Sequence, residues 1–186
     1  MIEKLIVKIA QALDKYKIPY MIIGGQAVLF YGGVRLTEDI DITLGIDIDK
    51  LNQMKKLLKE IGLITPKNIN DDFTRKTNVL IGIDKATGIR VDFIFSFTPY
   101  ERQALKRTKK VKLNNYNVKF ASCEDVIIHK MFAGRPRDLE DARVLLAKNF
   151  KRLDITYIKK WLKSFSKIIA DTPVKEFKKM IKGVMS

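Results

Sequence analysis

The stretch Gly24-Gly25-Gln26-Ala27 and, one short loop on, Arg35-Leu36-Thr37-Glu38-Asp39-Ile40-Asp41 decides the fold. Side chains alternate faces along an extended strand. Asp39 and Asp41 therefore share one face, with Ile40 and Ile42 on the other. The glycine pair ends a short apolar strand, Tyr20 to Ile23, and opens a helix through Ala27 to Phe30 that Gly32-Gly33 stops. Glycines let the backbone approach a phosphate closely, and the first turn of a helix offers free N–H groups. Two parallel carboxylates beside such a notch suit one job: holding divalent metal ions against a nucleotide's phosphates. Gln26 opens the helix within reach of the same phosphates. Arg35 and Thr37 share parity with Asp39 where the chain is extended, so Arg35 is placed to pair with a phosphate or to steady the carboxylates.

Outward from this stretch, apolar residues at helical spacing predict a helix over roughly residues 2–16, broken before Pro19, and another from Leu51 to Ile61 capped near Asp47 or Asp49. Val79 to Ile83 and Ile89 to Phe95 read as strands around the turn 84–88. Val91, Phe93 and Phe95 share a face, so Asp92 lies on the other. A lone charge in an apolar strand is costly. Asp92 is thus the natural third carboxylate, able to complete a two-metal site and to take the proton of an incoming hydroxyl. Thr98-Pro99-Tyr100-Glu101 and Ser122-Cys123-Glu124-Asp125 are helix starts, and Asn114 to Asn117 is a hairpin turn. From Ser122 onward the pattern is helical throughout. The expected architecture is α/β (α+β): a small mixed β-sheet flanked by helices over residues 1–121, then a helical segment, 122–186, that completes the active-site groove within one compact unit.

The order of these motifs resembles the DNA polymerase β-like nucleotidyltransferase superfamily in its minimal bacterial and archaeal branch. There a G-[GS] turn precedes D-x-[DE] and a third acid sits on a neighbouring strand. Gly24, Gly25, Asp39, Asp41 and Asp92 match residue by residue. Gly25 stands where a serine is usual, which removes a hydroxyl donor for phosphate. A second block, Lys130-Met131-Phe132-Ala133-Gly134-Arg135-Pro136-Arg137-Asp138-Leu139-Glu140-Asp141, is similar to the signature of AbiEii-like nucleotidyltransferases. That group includes toxins of toxin–antitoxin systems, the MenT-type tRNA-modifying enzymes among them. The resemblance covers about residues 20–150. It implies Mg²⁺ or Mn²⁺ on Asp39, Asp41 and Asp92, an NTP substrate, Lys130 on the triphosphate, and a supporting network of Arg135, Asp138 and Asp141. It also implies NMP transfer to a hydroxyl, with an RNA acceptor such as a tRNA 3′ end first, and a cognate antitoxin protein as partner. Read from spacing alone, Arg135 and Asp138 are i, i+3 neighbours that pair, and the two acids favour a helix N-terminus.

Composition sets the remaining bounds. The formal net charge of +15 over 186 residues argues for an anionic partner such as nucleic acid. Arg102, Lys106, Arg107, Lys109, Lys110, Lys112 and Lys119 cluster around the hairpin, with Tyr116 and Trp161 as candidate stacking partners for bases, while the helical spacing around Trp161 favours a core position. A protein hydroxyl and a small-molecule hydroxyl are the other acceptors within the enzyme class. The rival from another class is a non-catalytic module that binds RNA or a partner protein. The single cysteine excludes an internal disulfide, and its place near a helix start favours a lowered thiol pKa. No apolar run approaches the ~20 residues a membrane span needs, and the N-terminus reads as an amphipathic helix. The expectation is a cytoplasmic protein without membrane contact.

Overall fold

The computed structural model describes residues 1–96, 98–169 and 172–185. In chain order the elements are α1 (Ile2–Lys15), β1 (Tyr20–Ile23), α2 (Gly24–Phe30), β2 (Ile40–Leu44), α3 (Leu51–Glu60), β3 (Leu63–Ile64), α4 (Asp71–Thr77), β4 (Val79–Asp84), β5 (Arg90–Phe95), α5 (Pro99–Lys106), β6 (Lys109–Leu113), β7 (Tyr116–Phe120), α6 (Cys123–Ala133), α7 (Pro136–Asn149), α8 (Ile155–Ile169) and α9 (Thr172–Met185). They form two compact units: Met1–Gln26 with Leu36–Ala121, and Ala27–Arg35 with Ser122–Ser186.

The first unit is a mixed α/β fold around a seven-stranded sheet of order β3-β4-β5-β2-β1-β7-β6. β2 runs antiparallel to β1 and parallel to β5, while β1 also pairs parallel with β7. Helix α1 packs on β6 and β7, α3 on β3, and α4 on β4. Ile6, Ile9 and Leu13 of α1 are buried, as are Ile40, Ile42 and Leu44 of β2 and Val91, Phe93 and Phe95 of β5. Each such side chain contributes about 1.5–3 kcal/mol on burial, and the period-2 pattern leaves one slip of register prohibitive. Burial of Ile40 and Ile42 thus obliges Asp41 to turn to the opposite face. The hairpin turn between β6 and β7 places Asn114 and Asn115 at φ 43° and 65°, the left-handed pair that asparagine tolerates.

The segment between Ile61 and Val79 holds two elements without a sequence expectation. β3 is two residues long, too short for a periodic pattern. α4 is capped by Asn70, whose side chain accepts from the Phe73 N–H at 2.8 Å, but of its residues only Thr74 is buried, so it carries no apolar stripe.

The second unit is helical. Ser122 caps α6: its hydroxyl accepts from the Asp125 N–H and donates to the Asp125 carboxylate at 2.6 Å. Asp125 is fully buried and also accepts from the Tyr157 hydroxyl of α8 at 2.8 Å. Ile127, Ile128, Leu145, Leu146, Ile158 and Phe177 fill the space among α6, α7, α8 and α9. The Cys123 thiol is pushed up to about 12 by burial and by neighbouring Glu124, which overrides any lowering by its position on the helix. Residues 27–35 belong with these helices. Lys148 donates to the Gly32 carbonyl at 2.5 Å and Asn149 to the Tyr31 carbonyl at 3.1 Å. A single cut after residue 121 does not capture this return of the chain. Among the described residues no helix is long and apolar enough to cross a membrane.

Candidate functional site

The register of the sheet sets Asp41 of β2 directly opposite Asp92 of β5 on adjacent parallel strands. Asp39 lies two residues before Asp41, just ahead of the strand, and is exposed. Asp41 and Asp92 are half-buried. The alternation that buries Val91 and Phe93 therefore brings Asp92 and Asp41 out on one face.

Sequence reading missed the residue that occupies this face. Arg90 grips Asp92 with two hydrogen bonds, Nε to Oδ1 at 2.7 Å and Nη2 to Oδ2 at 2.9 Å. These bonds hold the guanidinium above its ordinary pKa against the opposing effect of burial, and the charges of Asp92, Asp39 and Asp41 act in the same direction. A cation thus stands in the field of all three carboxylates. Both Asp92 oxygens are on Arg90, and among the described residues no three acidic, histidine or cysteine side chains are grouped to hold a metal ion. The one available signal was i, i+2 parity on β5, which puts Arg90 and Asp92 on the same face.

The glycine pair is fixed by space as well as by conformation. Gly24 has φ +62°, and a Cβ there would lie 2.7 Å from the Asp41 Cγ. A side chain at position 24 would therefore displace the carboxylate. A Cβ on Gly25 would meet the Thr37 side chain, at 2.5 Å from Oγ1 and 2.7 Å from Cβ. Gln26 Nε2 donates to the Asp39 carbonyl at 3.3 Å, and the Thr37 hydroxyl reaches the same carbonyl at 3.5 Å. Both side chains thus brace the backbone that presents Asp39. Beside them lies a cavity of about 580 Å³ lined by Ile2, Thr37, Glu38, Asp39, Thr87 and Arg90, among others.

The remaining candidates form a charge network in the second unit. Lys130 of α6 is buried and pairs with Asp138 at 2.7 Å and Asp141 at 2.9 Å, both on α7. Arg135 Nε donates to Asp138 at 2.5 Å, and Arg35 pairs with Asp141. Three cations therefore serve two buried carboxylates. The Lys130 ammonium is held inside this network, with both carboxylates as its partners, whereas the Arg135 side chain is largely exposed. Burial alone would raise the Asp138 pKa, but the hydrogen bonds from Arg135 and Lys130 outweigh it and hold the carboxyl below its ordinary value. A depressed carboxyl stabilises the fold above the unfolded value and loses that contribution as pH falls through the folded value. The stability gap between the intact protein and Asp138→Asn should therefore shrink from about pH 4 downward. Urea midpoints taken from pH 7 to pH 3 check this, and a gap that stays constant would contradict it.

Lys106 at the end of α5 and Lys109, Lys110 and Lys112 of β6 are exposed. Lys119 instead pairs with Asp14 at 2.5 Å and lies 4.9 Å above the Tyr20 ring. The Tyr116 hydroxyl donates to Asp14 at 2.7 Å, so this ring is tied into the unit and is not a free stacking platform. In the second unit Trp161 packs against Tyr157 and Phe165.

A family profile described as "nucleotidyltransferase of unknown function (DUF6036)" matches residues 1–183. The chain belongs to this family. Solved structures share the fold of the DUF6036 chain. An antigenic nucleotidyltransferase-like protein from Paracoccidioides brasiliensis is 18% identical, with a TM-score of 0.57 over 89% of this chain and 87% of that one. ANT(2″)-Ia in complex with adenylyl-2″-tobramycin is 16% identical, with a TM-score of 0.54 over 77% and 87%. A nucleotidyltransferase structure from Thermotoga maritima is 16% identical, with a TM-score of 0.50 over 77% and 91%. No curated protein matches the DUF6036 chain. The family is thus that of a nucleotidyltransferase enzyme, which takes an NTP as substrate.

Proposed function

We propose that this nucleotidyltransferase moves NMP from an NTP to the 3′ hydroxyl of an RNA, tRNA first, as an AbiEii/MenT-like toxin with a cognate antitoxin. The observation that carries the chemistry is the pairing of Asp41 with Asp92 across β2 and β5, with Asp39 beside them. Asp39, Asp41 and Asp92 are hard oxygen donors of the kind a divalent cation takes, and such an ion would have to draw Asp92 away from Arg90 and gather the three. Mg²⁺ or Mn²⁺ on Asp39, Asp41 and Asp92 would supply charge neutralisation at the triphosphate. The chain's own groups do the rest. Gly24 and Gly25 give the phosphates close backbone approach, with Gln26 and Thr37 beside them. Asp92 accepts the proton of the attacking hydroxyl. The acceptor oxygen bonds to the α-phosphorus, the bond from that phosphorus to the bridging oxygen breaks, and pyrophosphate leaves. In the helical unit, Lys130, Arg35, Asp138 and Asp141 tie α6 and α7 together and hold Arg135 at the surface. Positioning and charge supply most of the acceleration in such transfers.

An RNA acceptor is supported by the net charge of +15 and by the exposed lysines of α5 and β6, which suit phosphate contacts. A small-molecule hydroxyl is the second reading. It is favoured by the cavity beside Asp39, whose 580 Å³ suits a compact ligand. Incubation with each α-labelled NTP, Mg²⁺ or Mn²⁺ and total tRNA tests the assignment. Label on RNA is expected. Label on the protein itself, or on neither, would overturn the RNA reading.

Arg90 has a consequence for metal binding. It holds both oxygens of Asp92, so a cation must compete with it. Arg90→Ala should tighten Mn²⁺ binding by about 3- to 10-fold, the equivalent of one partly exposed charge-assisted pair. Electron paramagnetic resonance of free Mn²⁺ reads this directly, and weaker binding by the variant would contradict it.

A further inference from the structure

Gly25 is not in the left-handed region, so its lack of a side chain is a matter of space and not of backbone conformation. That space is filled by Thr37. Its Oγ1, Cβ and Cγ2 lie 2.5, 2.7 and 2.9 Å from where a Cβ on residue 25 would sit. The two positions compete for one volume, and a hydroxyl is already in it.

We propose that Thr37 supplies the side-chain hydroxyl that binds the nucleotide's phosphates at the Gly24–Gly25 turn, in the place a serine at position 25 would occupy. This rests on the reading of that turn, beside Asp39 and Asp41, as the seat of the triphosphate. The hydroxyl is suited to the role because its present bond is weak. Its contact with the Asp39 carbonyl is 3.5 Å, at the limit of a hydrogen bond. Gln26 Nε2 reaches the same carbonyl at 3.3 Å. When the Thr37 hydroxyl turns to a phosphate oxygen, the Asp39 carbonyl keeps Gln26, so no acceptor is stranded. The sequence also places Thr37 two residues from Asp39, so the donor for the phosphates and the ligand for the cation move on one short segment.

The swap makes the test. Binding of each of the four NTPs with Mg²⁺ is measured by calorimetry on the full chain, with adenosine as a probe that lacks phosphate. Thr37→Val keeps the shape and loses the hydroxyl, and should weaken NTP binding roughly tenfold while leaving adenosine unchanged. Thr37→Ser should bind like the parent. Gly25→Ser alone should weaken binding, because it collides with Thr37. The double variant Gly25→Ser, Thr37→Ala should recover to within about threefold of the parent, since the serine hydroxyl takes the vacated space. NTP binding by Thr37→Val equal to the parent's, or a double variant no better than Thr37→Ala, would overturn the proposal while leaving the transferase reading intact. A parent protein that binds no NTP would overturn both.

Discussion

Replacing Asp41 with asparagine should lower nucleotidyl transfer by at least roughly 10³-fold. The substitution keeps the side chain's shape over Gly24, where a Cβ would lie 2.7 Å from the Asp41 Cγ. It removes the charge that faces Asp92 across the β2–β5 pair. The sheet loses little, because Ile40 and Ile42 carry the burial on the opposite face. A melting temperature within a few degrees of the parent's should therefore accompany the loss. The measurement is initial rate under saturating NTP and metal, beside a thermal melt. A rate within tenfold of the parent's would remove Asp41 from the chemistry.

Lys130→Met should cost about 3–5 kcal/mol of stability, as breaking a buried ion pair does when the other charges stay behind. The methionine keeps the length of the stem but leaves Asp138 and Asp141 to Arg135 and Arg35 alone. Of these partners only Lys130 touches both carboxylates. Urea unfolding followed by the fluorescence of Trp161 reports on the helical unit that holds the network. Adding Asp138→Asn to Lys130→Met should recover part of the loss, because it removes one of the stranded charges. A cost below about 1 kcal/mol would mean that the network is not a brace, and would return Lys130 to direct contact with the nucleotide.

The carboxylates of β2 and β5 were legible because strand parity is a local rule. Ile40, Ile42, Val91 and Phe93 name the buried face, and Asp41 and Asp92 follow as the other. The capping box at Ser122 and Asp125 was legible for the same reason, since three residues of separation contain the whole interaction. What stayed hidden depends on contacts across the chain. Nothing near Gly25 says that Thr37 fills its side-chain volume. The grip of Arg90 on Asp92 needs the strand to be known before i, i+2 charges can be seen as neighbours. Lys130 is buried on α6. Its two partners lie on α7, and only the packing of the two helices shows that both reach the same ammonium. The return of residues 27–35 to the helical unit rests on Lys148 and Asn149 bonding to loop carbonyls, which no periodicity encodes.

Metal-dependent NTP binding by the intact protein and by Asp39→Ala is the most direct test of the carboxylate cluster as a nucleotidyl-transfer site. Asp39 is exposed, so its loss leaves the core untouched. Calorimetric titration of NTP with Mn²⁺, and again with chelator in place of metal, gives the answer. The expected result is binding that requires metal in the parent and falls at least about tenfold in Asp39→Ala. Equal binding by the two proteins, with or without metal, would contradict it.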